Sequence, residues 1–266
     1  MKTLAELADL SGRVALITGG AGHIGRAVAN GLAELKCKLC LLDTAHSDVV
    51  AVSRKLAARW NTEVVSLEVD LESEDLRATV RPFVEERFSR LDVLINNAAF
   101  YSVEKLEGWV APLEEQSLAV MRRCIEVNLI ASFHLAQSLS PLMRNHGGSI
   151  INVSSIYGVL GPDMSLYGGT EMGNPAAYGL SKGGLVQMTR WLATMLAPQI
   201  RANSISLGGV YRNQAEAFVD RYVARTPMKR MATEEDFIGA VAYLASDLSA
   251  YVTGQNLMID GGWSAW

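Results

Sequence analysis

The stretch Thr18-Gly19-Gly20-Ala21-Gly22-His23-Ile24-Gly25 is the first in the chain whose residue types and spacing suggest chemistry. Glycines let a backbone turn tightly and come close to a pyrophosphate, which then rests on the N-terminus of the following helix. A glycine pattern alone is weak evidence and could mark an ordinary β–α turn. This one follows the apolar run RVALIT and opens a helical pattern, the context that makes it specific. Asp43 ends the next apolar run, KLCLLD. A carboxylate there accepts hydrogen bonds from the adenosine ribose hydroxyls and repels a 2′-phosphate, so NAD is expected over NADP. No arginine follows at Thr44 or Ala45. Two further polar stretches stand out: Ser154-Ser155-Ile156-Tyr157-Gly158, and Tyr178-Gly179-Leu180-Ser181-Lys182 downstream. The long segment between them bears on the kind of molecule handled.

These groups need elements to hold them. Short apolar runs at 13–18, 38–43, 63–69, 91–96, 148–154, 200–207 and 256–260 read as seven strands. Their continuous apolar character suits parallel strands covered on both faces. Helical patterns lie between them, roughly at 23–35, 46–60, 73–89, 114–143, 176–196 and 233–246. The alternation predicts an α/β fold: a single Rossmann-like, doubly wound domain over 1–266, with a seven-stranded parallel sheet and helices on both faces. With 49% hydrophobic and 20% charged residues in 266, the chain can bury a core of that size.

The bulk composition excludes several classes. A net charge of −4 gives no basic face for nucleic acid. No apolar run reaches the ~18 residues of a membrane span, and the first residues lack the apolar core of a signal peptide. Three sparse cysteines, Cys37, Cys40 and Cys124, suit a reducing, cytoplasmic setting. Cys37 and Cys40 form a C-x-x-C, but within a strand residues three apart point to opposite faces, so core cysteines are expected rather than a redox or metal pair. The histidines show no ligand spacing, and no metal is expected.

From about Leu10 to Trp263 the chain resembles a short-chain dehydrogenase/reductase. The resemblance rests on the glycine turn, Asp70-Leu71, Asn96-Asn97-Ala98-Ala99, Asn128 in VNL, Ser155, Tyr178-x-x-x-Lys182 and the closing YVTGQNLMIDGG. It implies a catalytic set of Asn128, Ser155, Tyr178 and Lys182. Tyr178 would be the general acid/base, and a free tyrosine, titrating near ~10, needs help near neutrality. Lys182, one helical turn on, would favour the phenolate together with the positive nicotinamide of an oxidised cofactor, and would hold the nicotinamide ribose. Ser155 would orient the substrate oxygen. Asn128 would fix a water that relays protons from Lys182. The cofactor would meet Gly19, Gly22, His23, Ile24 and Gly25 at the turn. Asp43, Asp70 and Leu71 would flank its adenosine, with Asn96, Ala98 and Ala99 at the floor and Val210, Tyr178 and Lys182 at the nicotinamide end.

Two departures carry information. The glycine spacing, Gly19, Gly22 and Gly25, is that of the extended branch of the family, which contains nucleotide-sugar epimerases. His23 stands where the short branch has its middle glycine. Ser155 and Tyr178 are 23 residues apart, more than is usual in the short branch, which the remaining 84 residues and the tail otherwise resemble. An insertion at about 159–176 is therefore expected over the catalytic serine, with Tyr157, Tyr167 and Glu171 able to hydrogen-bond hydroxyls beside Ser155. The alternative is a structural or subunit-contact segment. A substrate lobe is expected at about 208–231. Arg212, Arg221, Arg225, Lys229 and Arg230 lie there, either as a site for an anionic substrate or as the solvated face of an amphipathic helix. Arg212 stands close to where the family usually carries a threonine. The expected activity is NAD-dependent hydride transfer on a sugar-like alcohol or ketone, possibly phosphorylated or nucleotide-linked. The rivals are a 3-ketoacyl-thioester reductase or generic alcohol dehydrogenase of the same family, and a non-catalytic NAD-binding regulatory or structural subunit. A homotetramer or dimer follows from the resemblance.

Overall fold

A computed structural model describes residues 1–100 and 106–266. The strands are β1 (Val14–Thr18), β2 (Lys38–Asp43), β3 (Val64–Glu68), β4 (Val93–Asn96), β5 (Gly148–Ser155), β6 (Ile200–Leu207) and β7 (Asn256–Ile259). They form one parallel sheet in the order β3-β2-β1-β4-β5-β6-β7. The helices are α1 (Leu4–Ala8), α2 (His23–Glu34), α3 (Val49–Trp60), α4 (Glu74–Ala78), α5 (Val80–Phe88), α6 (Leu118–Ile125), α7 (Ala131–Met143), α8 (Ala176–Leu196), α9 (Glu216–Arg225) and α10 (Ile238–Ala245).

The apolar runs follow from burial on both faces. Ala15 and Ile17 of β1 join one core with residues of α2, α3 and α10. Val14 and Leu16 of the same strand join the opposite core with residues of α5, α7 and α8. Cys37 belongs to the first core and Cys40 to the second, so the C-x-x-C splits across the sheet as its spacing predicts. Burial pushes both thiols up, Cys40 to about 12, which keeps them protonated and unreactive. No cluster of metal-ligating side chains occurs among the described residues. None of their helices is long and apolar enough to cross a membrane.

Strand order reverses at β1, which pairs with β2 on one side and β4 on the other. In open α/β sheets ligands bind outside the carboxyl ends of the strands at such a point. The long helical pattern at 114–143 divides into α6, a π turn over Glu126–Ile130, and α7. The pattern at 73–89 divides into α4 and α5 about Thr79. Arg77 on α4 is 2% exposed and binds three ways: to the Leu71 carbonyl, to Glu126 of the π turn at 2.7 Å, and to His134 of α7 at 3.2 Å. It ties the segment after β3 to the π turn.

Candidate active site

Two adjoining cavities open at the carboxyl ends of the strands. One, of about 580 Å³, is lined by the glycine turn, Asp43, Thr44, Asp70, Leu71, Asn97, Ala98, Ala99, Val127 and Arg212. The other, of about 270 Å³, is lined by Ser155, Tyr157, Tyr167, Tyr178, Lys182, Val210, Phe218 and Tyr222 among others. Ile24, Asn97 and Ala99 belong to both, so they form one cleft.

The first half is built by close approach. Gly19 has φ +64°, and a Cβ there would lie 2.9 Å from Asn97 Nδ2. A Cβ on Gly25 would lie 2.0 Å from the Gly19 carbonyl oxygen, so only glycine lets α2 seat on the turn. Helix α2 starts at His23 with Gly22 as N-cap and no side-chain cap, which leaves first-turn N–H groups for a ligand anion. Asp43 accepts hydrogen bonds from the N–H groups of Ala21 and Thr44, both at 2.9 Å, and its carboxylate borders the cavity. These features fit a dinucleotide.

The second half explains the stretch Ser154-Ser155-Ile156-Tyr157-Gly158. Ser154 is structural: its hydroxyl donates to the Lys182 carbonyl at 2.8 Å. Ser155, the last residue of β5, accepts from the Tyr157 N–H at 3.2 Å and borders the cleft. Gly158 permits contact with α8, since a Cβ would meet Ser154 Oγ at 2.6 Å and the Lys182 carbonyl at 2.7 Å. The Ser154–Lys182 bond and one missing side chain thus fix the end of β5 against the helix that carries Tyr178 and Lys182.

Lys182 is 2% exposed, and its Nζ donates to the Val153 carbonyl at 2.9 Å. Burial lowers its pKa to about 8. Nζ lies 5.8 Å from the centre of the Tyr178 ring, as the i, i+4 spacing requires. Burial raises the Tyr178 phenol, and the Ser155 hydroxyl beside it acts the other way. Protein groups alone therefore do not make Tyr178 a base near neutrality. A phenolate there would draw on the positive charge of an oxidised nicotinamide together with that of Lys182.

Asn128 lies beneath the catalytic helix. It is fully buried in the π turn, outside the lining of both cavities. Its Oδ1 accepts from the Phe100 N–H at 2.6 Å, and its Nδ2 donates to Ser181 Oγ at 2.9 Å. Ser181 in turn donates to the Tyr178 carbonyl at 2.9 Å. Asn128 holds α8 from beneath while Ser155, Tyr178 and Lys182 converge on the cleft.

Asn96 also points away. Its amide donates to Asn152 Oδ1 at 2.8 Å inside the sheet, one rung of the β4–β5 register. The floor residue is Asn97, whose Nδ2 donates to the Thr18 carbonyl at 2.9 Å and the Gly19 carbonyl at 3.2 Å. Strand alternation carries the signal: side chains of the last strand residue and the next face differently.

The insertion at 159–176 forms a short 3-10 turn over Met164–Tyr167. The Tyr167 and Tyr157 hydroxyls are 2.8 Å apart, and both residues line the catalytic cavity. Glu171 is exposed and outside that lining. Helix α9 supplies Phe218 and Tyr222, which sequence reasoning missed although their i, i+4 spacing marks one helix face. Tyr167, Phe218, Tyr222 and Trp263 form a row of ring contacts, the last pair stacked at 4.4 Å. The Tyr222 hydroxyl accepts from the Gly209 N–H at 2.6 Å.

The cations of the lobe are engaged within the protein. Arg225 pairs with Asp163 of the insertion, and Arg221 donates to the Leu166 carbonyl at 3.1 Å. Arg230 pairs with Asp236 and Lys229 donates to the Ala224 carbonyl. Arg212, expected beside the substrate, lines the nucleotide half and pairs with Glu234 at 2.6 Å.

A doubly wound sheet, a glycine-walled nucleotide groove and a Ser-Tyr-Lys cluster define a dinucleotide-dependent oxidoreductase. The family model described as Enoyl-(Acyl carrier protein) reductase matches residues 19–264. Trans-4-hydroxycyclohexanecarboxylate dehydrogenase of Sinomonas cyclohexanicum is 35% identical over 260 residues, covering 95% of this chain and 93% of that protein. A solved NAD(P)-dependent gluconate 5-dehydrogenase from Beutenbergia cavernae, described as putative and with bound NADP, has a TM-score of 0.86. It is 31% identical and is covered over 98% of this chain and 100% of that one. An NAD+-bound xylitol dehydrogenase has a TM-score of 0.83 at 29% identity, covering 95% and 99%. The chain spans 44% of the length of one further relative, an uncharacterized short-chain type dehydrogenase/reductase of Sinorhizobium fredii. The chain belongs to the short-chain dehydrogenase/reductase family and is an NAD(P)-dependent oxidoreductase.

Proposed function

We propose that the protein interconverts a secondary alcohol and a ketone on a neutral, hydroxylated, ring-shaped substrate, with NAD as the cofactor. The observation that carries the substrate reading is the wall of the catalytic cavity. The Tyr157–Tyr167 hydroxyl pair offers polar contacts, and Phe218 and Tyr222 offer flat apolar faces. That combination suits a sugar-like ring, with hydroxyls at its edge and C–H groups on its faces. Among the described residues bordering that cavity, Lys182 is the one cation. No arginine is among the described residues bordering it, so the reading narrows to unphosphorylated substrates. Relatives are named for substrates as varied as a hydroxycyclohexanecarboxylate, gluconate, xylitol and a 3-oxoacyl-acyl-carrier-protein, so the substrate reading rests on the cavity wall.

Asp43 supports NAD. Its carboxylate and Thr44 stand at the adenosine end, where a 2′-phosphate would need a cation. In the oxidation direction Tyr178 takes the hydroxyl proton of the substrate as Ser155 hydrogen-bonds the same oxygen. When bound, the nicotinamide would supply the hydride acceptor and a positive charge. Lys182 holds charge beside the phenol, and Asn128 positions α8. The exposed apolar side chains Phe133, Leu180, Trp191 and Met195 on α7 and α8 support assembly with further copies of the chain, as a dimer or tetramer.

The test is absorbance at 340 nm with NAD and NADP against free sugars, polyols, sugar phosphates, simple alcohols and, in reverse, ketoacyl thioesters. NAD reduction with neutral polyols or sugars is the expected result. Turnover confined to NADPH and ketoacyl thioesters would overturn both the cofactor and the substrate reading.

A further inference from the structure

The segment after β6 is built to hold one side chain in place. Val210 and Ala232 form an isolated parallel bridge, with the Tyr211 N–H donating to the Ala232 carbonyl at 3.0 Å and the Ala232 N–H to Gly209 at 2.9 Å. Gln214 clamps the next turn, accepting from the Arg212 N–H at 2.7 Å and donating to the Val210 carbonyl at 2.7 Å. The backbone of Arg212 is thus fixed from both sides.

Arg212 lines the nucleotide half of the cleft and not the Ser155–Tyr178 half. Nη1 meets Glu234 Oε1 at 2.6 Å and donates to the Tyr211 carbonyl at 2.8 Å. The same Glu234 oxygen lies 3.7 Å from Nδ1 of His23, the first residue of α2. One carboxylate oxygen therefore meets both Arg212 and the side chain of His23, the first residue of the uncapped α2; a guanidinium and a free helix start both favour an anion. The donors on Nε and Nη2 are chemically suited to a second anion beyond Glu234.

We propose that Arg212 binds the cofactor pyrophosphate, facing the amino end of α2 across the groove, with Glu234 as its holder in the free protein. This rests on the dinucleotide-binding reading and reassigns Arg212 from substrate to cofactor. The 2′-position is the less fitting target, because Asp43 and Thr44 mark that end while Glu234 links Arg212 to the glycine turn through His23.

The experiment is titration of the protein with NADH and NADPH, read by cofactor fluorescence, with ADP and adenosine as competitors. The wild type is compared with R212M, R212K and E234Q. R212M weakens NADH, NADPH and ADP by about tenfold or more and leaves adenosine unchanged. R212K recovers part of the loss. E234Q binds NADH at least as tightly as the wild type, since it keeps the cation and removes its competitor. Unchanged NADH binding by R212M overturns the proposal. So does a loss confined to NADPH, which would place Arg212 on the 2′-phosphate, or an equal loss in E234Q, which would make the ion pair merely structural. A wild type that binds neither cofactor removes the dinucleotide reading itself, a distinct result.

Discussion

Tyr178 and Lys182 share one buried site but differ in what burial does to them. For Tyr178 burial favours the neutral phenol, so its use as a base depends on nearby positive charge. Y178F is expected to lower kcat by about 10²–10⁴-fold, the usual scale of general acid–base catalysis, while NADH binding measured by fluorescence stays near that of the wild type. Lys182 has its folded pKa lowered to about 8 from an ordinary 10.5. Between those values the unfolded chain binds more protons than the folded one, so this group makes stability rise with pH across that window. Below about pH 8 the cost of burying the charge is fully present. The stability of K182M relative to the wild type is therefore expected to be greatest at neutral pH and to shrink as pH passes from about 8 to 10.5. Denaturant unfolding of both proteins across that range checks it, and a difference that grows with pH would contradict the burial argument. Activity is lost in K182M at every pH, because the ammonium is absent from the site.

At the scale of elements, the π turn between α6 and α7 links the two halves of the cleft. Arg77 joins it to the Leu71 carbonyl, and Ser181 joins it to α8 through Asn128. Removing Arg77 leaves Glu126 without its buried partner and the Leu71 carbonyl without a donor. R77A is expected to cost about 3 kcal/mol, seen as a fall of several degrees in Tm, and to weaken NADH binding through the displaced Leu71 segment. S181A leaves the buried Asn128 amide short of an acceptor, at a cost of about 1–3 kcal/mol. Its expected signature is lower kcat with NADH affinity retained, because Ser181 braces Tyr178 and not the nucleotide groove. The break at Asn128 was not legible in the sequence. The pattern at 114–143 reads as one helical stretch, and the π turn is held by partners far along the chain, Arg77 and Ser181, that the local pattern does not record.

For the whole molecule, the insertion and α9 form one unit over the catalytic cavity. Asp163–Arg225, the Arg221 bonds to insertion carbonyls and the ring row from Tyr167 to Trp263 hold it together. Y167F removes one hydroxyl from the cavity wall and keeps the ring. It is expected to raise KM for hydroxylated substrates severalfold and to leave KM for NAD unchanged, checked by steady-state kinetics with each substrate varied. The apolar stripe on α7 and α8 belongs to this scale too. W191E is expected to shift the protein to a smaller species in light scattering, since a charge at the centre of that face opposes its burial.

The parallel α/β sheet and the nucleotide end of the cleft were legible in the sequence because their signals are local: strand periodicity and a glycine turn between a strand and a helix. Tyr178 and Lys182 are one helical turn apart, but Ser155 joined them only through the family resemblance. Tertiary structure decided the rest, because it depends on which distant segments meet. Whether Asn96 or Asn97 faces the groove turns on where β4 ends against β5. Whether the lobe's cations meet a substrate turns on the insertion, which lies some 50 to 60 residues earlier in the chain and takes Arg221 and Arg225 for itself. Arg212 changes halves of the cleft for the same reason. Its place is set by a bridge to Ala232 and an ion pair to Glu234, and no spacing within its own segment records either partner.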